Sequence, residues 1–113
     1  MPVQAGSHHG TSDDTTHVVC VPAPPRGTVR MVKSILIHNG DGSTQTVLLK
    51  KVILDPEGTD TKYTFHREAL TTLTNLAFTA LVVLDGPKER IEMVLTGNTT
   101  VELDFATSWG DQT

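Results

Sequence analysis

"TVRMVKSILIHNGDGSTQTVLLKKVIL", residues 28–54, decides the fold. Two apolar runs rich in β-branched residues flank Asn39-Gly40-Asp41-Gly42-Ser43, five residues of turn-forming type. The first run reads as a strand over 28–38. Val29, Met31, Ile35 and Ile37 fall on one face, Val32 and Leu36 on the other. The second reads as the returning strand, 44–54. Large residues on both faces imply a central strand in a covered sheet, or a strand packed against another subunit.

Upstream, "HVVCVP" is a short strand ended by a proline, which removes a ladder donor. "APPRG" is a stiff corner that Gly27 lets turn sharply. Downstream, "DPEGTD" is a turn and "TKYTFH" a short strand. Threonine-rich "REALTTLTNLAFTALVV" reads as a loop or helical turn over 67–72, then a strand over 76–84. In that strand Leu76, Phe78, Ala80, Val82 and Leu84 share a face. "RIEMVLT" and "TVELDFA" alternate cleanly, with Ile91, Met93 and Leu95 on one side and Val101, Leu103 and Phe105 likewise. Paired as a hairpin, these odd-numbered sets need a loop of three or five residues to share a face. No periodic helix of ten residues is present. The fold class expected is all-β: an antiparallel β-sandwich or jelly roll over 17–113. Residues 1–16, small and polar after Val3, are expected as an extended N-terminal arm.

The 113 residues suit one domain. Net charge is −4, and the bases form no patch in sequence, which argues against a nucleic-acid partner. No window approaches the ~18 apolar residues of a membrane span. The first 16 residues lack the basic start and apolar run of a signal peptide. Cys20 and His38 would be the nucleophile and base of a thiol enzyme. Yet Cys20 lies among valines with no charge nearby, so a small buried side chain is its default role. His8-His9 and Asp13-Asp14 are adjacent pairs whose members point opposite ways on an extended chain, so neither is a chelate. No phosphate-cradling or hydrolase motif occurs, and no catalytic residue, cofactor or metal is expected. Trp109, after the alternating strand, reads either as a cap on the sandwich end or as an anchor in a partner's pocket.

Taken together, Pro24, Gly27, Arg30, Val32, Ser34, Ile35, Ile37, Asn39, Asp85, Gly86, Asp104, Phe105 and Trp109 form a pattern over residues 16–110. A proline–glycine corner leads into an R-x-V-x-S-I-x-I-x-N strand, and the chain closes on a D-F-aromatic tail. This resembles a group of small structural proteins of tailed bacteriophages; "TFHREALTTLTN" fits it least well. The resemblance implies a non-enzymatic virion component made in the host cytoplasm, a capsid decoration or a neck, collar or tail accessory. Its partners would be copies of itself and the major capsid, portal or neck, or tail proteins. Contact candidates are Val3, His8, His9, Val32, Leu36 and Trp109. The competing reading is a β-sandwich module for carbohydrate or a host surface, with Tyr63 and Trp109 as its aromatic platform.

Overall fold

A computed structural model describes residues 4–113; Val3 lies outside them. Nine strands follow in order: β1 (Gln4–Ser12), β2 (Val18–Val21), β3 (Val29–Asn39), β4 (Gln45–Ile53), β5 (Thr61–Leu70), β6 (Thr74–Phe78), β7 (Val82–Asp85), β8 (Glu89–Leu95) and β9 (Leu103–Gln112). One sheet has the order β1-β9-β3-β6, with β7 also on β3; the other is β2-β8-β4-β5. Both β6 and β7 lie antiparallel to β3, so they are two halves of one interrupted strand. The antiparallel partnerships then nest: β4 with β5, β3 with β6 and β7, β2 with β8, β1 with β9. A chain folded into one long hairpin and rolled into two sheets is a jelly roll.

The expected strands are present, but two of the expected hairpins are not. β3 and β4 belong to different sheets, so residues 40–44 cross the sandwich instead of returning the chain beside itself. The same holds for 96–102 between β8 and β9, so the expected pairing of those strands does not occur. Their inward faces are those expected except at Val101, which lies in the 96–102 connection and is 50% exposed: Ile91, Met93, Leu95, Leu103 and Phe105 are buried, and Phe78 and Val82 pack partly against them. β5 runs on to Leu70 through the expected loop, because Arg67, Glu68 and Ala69 pair with β4. The strand expected over 76–84 breaks at 79–81.

β3 carries an irregularity that the alternation pattern hides. Between Val32 and Ser34 its register with β9 shifts, leaving Lys33 exposed as the extra residue. Arg30 and Val32 therefore point inward before the shift, and Ile35, Ile37 and Asn39 after it. Val32 is inside the core as a result, 1% exposed, and not on an outer face.

The first residues also depart from expectation. Gln4–Ser12 are not a free arm; they lie antiparallel along β9 over their whole length. Backbone hydrogen bonds to a free sheet edge need no apolar side chain. What they need here is space. A Cβ on Gly6 would stand 2.3 Å from Trp109 Nε1, and one on Gly10 2.8 Å from Phe105 Cζ. The two glycines let β1 lie over two inward-facing aromatic rings.

Three connections meet at one corner, where Asn39 and Asp41 join them. Asn39 Nδ2 donates to the carbonyls of Leu70 (2.8 Å) and Ser43 (3.0 Å), and its Oδ1 accepts from the Asp41 amide at 2.9 Å. Asp41 Oδ1 accepts from the amides of Thr100 and Val101, both at 2.9 Å, and from the Thr100 hydroxyl at 2.8 Å. Its Oδ2 accepts from the Ser43 hydroxyl at 2.7 Å and from Gln45 Nε2 at 3.1 Å. The Thr72 hydroxyl donates to the Asp41 carbonyl. The Ser43 hydroxyl, followed by the Val101 amide and the Thr100 hydroxyl, holds the Asp41 carboxyl well below the usual carboxylate range.

Candidate assembly surfaces

On the outer face of the β1-β9-β3-β6 sheet one leucine stands between two alanines. His9, Ala106, Leu36 and Ala77 stand in register across its four strands. The next row is Thr11, Asp104, His38 and Asn75, in which His38 Nδ1 donates to Asn75 Oδ1 at 2.5 Å. Leu36 is 47% exposed between the two alanines. The short side chains beside it leave a shallow apolar depression of about 460 Å³.

A second surface lies along the side where the roll does not close. β5 is the edge of one sheet and β6 with β7 the edge of the other. Between them runs a groove of about 580 Å³, lined by Ile53, Tyr63, Phe65, Phe78, Leu81 and Val83. Tyr63 is 56% exposed and Leu81 69%, with Val83 also open to solvent. Phe65 and Phe78 meet at its floor with ring centroids 5.3 Å apart. Lys51 flanks the groove, its Nζ bonded to the Val83 carbonyl and paired with Glu89, both at 3.2 Å. The break at 79–81 places Leu81 on this rim. Reading 76–84 as one continuous strand hides it.

The outer face of the other sheet is of a different kind. Glu92, 2% exposed, is covered by Lys62 Nζ at 3.1 Å and Arg90 Nη2 at 2.6 Å. A buried carboxylate paired on both sides is a structural ion cluster, open to water over its two cations.

Of the expected contact residues, Leu36 and His9 come together on the first face. His8 points the other way along β1, its exposed ring 5.7 Å from Phe105. Trp109 is in the core under Arg30, whose guanidinium sits 4.4 Å from the ring centroid. Arg30 is fixed there by a bidentate pair with Asp111 (2.8 and 2.9 Å) and by the Pro22 carbonyl at 2.6 Å. Trp109 is thus a core side chain of this subunit. Among the described residues, Tyr63 is then the one aromatic side chain largely open to solvent.

The thiol has no catalytic setting. Cys20 is fully buried between the sheets, its Sγ 3.6 Å from the Ile91 carbonyl, and burial pushes its pKa up to about 12. His38 lies on the opposite, outer side of the β3 sheet. Among the described residues no three His, Cys, Asp or Glu side chains gather to hold a metal ion.

No family model and no curated protein matches the chain. Solved structures do resemble it. A chain of the T13 infectious bursal disease virus particle superposes over 96% of this chain with a TM-score of 0.59 at 10% identity. A chain from the Gt strain of that virus gives a TM-score of 0.52 at 9% identity over the same share. A chain of the cyanophage Pam1 capsid asymmetric unit gives 0.46 at 15% identity, covering 83% of that chain. The protein spans about a third of each infectious bursal disease virus chain, 30% and 32%. The two likenesses to infectious bursal disease virus chains are likenesses of fold, and they run along nearly all of this chain, whose own strand order makes it an all-β jelly-roll sandwich.

Proposed function

We propose that the protein is a non-enzymatic structural component of a tailed-phage virion, a capsid decoration or a neck, collar or tail accessory. It acts as a homo-oligomer that also contacts other virion proteins. Fold alone does not assign a function, so the weight falls on one observation. The groove between β5 and β6–β7 exposes Tyr63, Leu81 and Val83 beside a floor of Phe65 and Phe78. A contiguous apolar surface of this kind marks a protein contact. The likeness to chains of a virus particle and the tailed-phage pattern of the sequence support the same reading. The carbohydrate-module reading loses half of its platform with Trp109 in the core.

Sedimentation equilibrium on the purified protein, run beside a glycan-binding screen, tests the proposal. A defined oligomer with no saccharide binding is expected. A monomer that binds a saccharide through Tyr63 would overturn it.

A further inference from the structure

We propose that β1 is an exchangeable strand: the free edge of β9 is a seat that takes the β1 of a second copy of this chain. The inference stands apart from any role in a virion.

The seat is specific. Its floor is Trp109 and Phe105, with Trp109 held in place by the Arg30 guanidinium. An occupant must offer backbone hydrogen bonds over nine residues and have no Cβ at two positions four apart, opposite those rings. Gly6 and Gly10 meet this requirement. No other two glycines in the chain are spaced by four. The sequence therefore names one fitting occupant, residues 4–12, from the same copy or from another.

The strand is also weakly tied to its own subunit. Ser12 alone among its residues is buried, and β1 contributes no buried apolar side chain. Leaving the seat breaks edge hydrogen bonds and uncovers two rings, and the β1 of a second copy restores both in full. Exchange of identical elements needs no new surface. The link to β2, residues 13–17, contains neither proline nor glycine and reaches about 17 Å when extended. At its start the Asp13 carbonyl accepts from the Thr99 amide at 2.9 Å, and at its end His17 is half-buried beside β2, so the residues between are the ones free to re-route. Edge segments with few buried contacts open at the lowest free energy.

The test uses full-length single-cysteine-addition variants, since Cys20 is buried and does not compete. Ser7 and Ser108 are direct partners across β1 and β9. A Ser7→Cys copy and a size-tagged Ser108→Cys copy are mixed at high concentration, equilibrated, then oxidised and run on a non-reducing gel. A mixed disulfide forms between them when the strand of one occupies the seat of the other. Glu57→Cys, in an exposed loop, replaces Ser108→Cys as the control for random collision. The expected yield with Ser108→Cys exceeds the control by at least about tenfold, the scale of a held against a free encounter. Adding Gly6→Val to the Ser7→Cys copy should return the yield to the control level, because the side chain cannot lie over Trp109. Equal yields from the Ser108 and Glu57 variants would overturn the proposal. So would a Ser108 yield that Gly6→Val leaves unchanged.

Discussion

At the Asn39–Asp41 corner, polar atoms are buried and matched; along the groove between β5 and β6–β7, apolar atoms are left in water. Asn39 and Asp41 are 0% and 3% exposed, and their side chains bind three separate connections. Tyr63 and Leu81 are 56% and 69% exposed. Buried polar groups cost free energy unless all their partners are present, so such a corner makes one chain path uniquely favourable. Exposed leucine, valine and tyrosine add little to folding. The corner therefore carries the fold, and the groove is free to carry contacts with other molecules.

Substitutions separate the two roles. Asn39→Ala removes the donor to Leu70 and Ser43 and should cost about 3 kcal/mol in urea unfolding, the scale of buried carbonyls left unpaired. Asp41→Asn should cost less at neutral pH, and its loss depends on pH. Asp41 has a folded pKa below its ordinary 3.8, so the folded state holds that proton more weakly than the unfolded chain does. Its contribution is complete above about pH 4 and fades as pH falls from there toward the folded value. Thermal midpoints measured from pH 6 to pH 2 should fall less steeply in Asp41→Asn than in the parent. Cys20→Ala, a small cavity in the core, should cost about 1 kcal/mol and leave the oligomeric state unchanged in sedimentation. Leu81→Ser should change stability least, by at most about 0.5 kcal/mol, while shifting the sedimentation profile toward smaller species.

The strands were legible because alternation is a local signal: β2, β3, β4 and β8 fall within a residue or two of where the sequence puts them. The connections were not. A turn sequence such as Asn39–Ser43 states that the chain bends, not whether it returns beside itself or crosses to another sheet. The shift at Lys33 was equally silent, and it alone moves Val32 from a face to the core. Trp109 could not be placed from its own neighbours, because Arg30 holds it from 79 positions away. One signal for β1 does lie in the sequence. Gly6 and Gly10 are four apart, as are Phe105 and Trp109, and an antiparallel pair sets Gly6 on Trp109 and Gly10 on Phe105. Leu36 and His9, expected as contact residues, are both exposed, but the groove was not legible, since it depends on the break at 79–81.

The proposed assembly of this jelly roll into a virion is tested most directly by quantitative mass spectrometry of intact, gradient-purified phage particles. The account predicts that this chain is present in every particle at a fixed copy number set by the particle's symmetry. Particles of full mass and infectivity that lack the chain, with all of it free in the lysate, would contradict it.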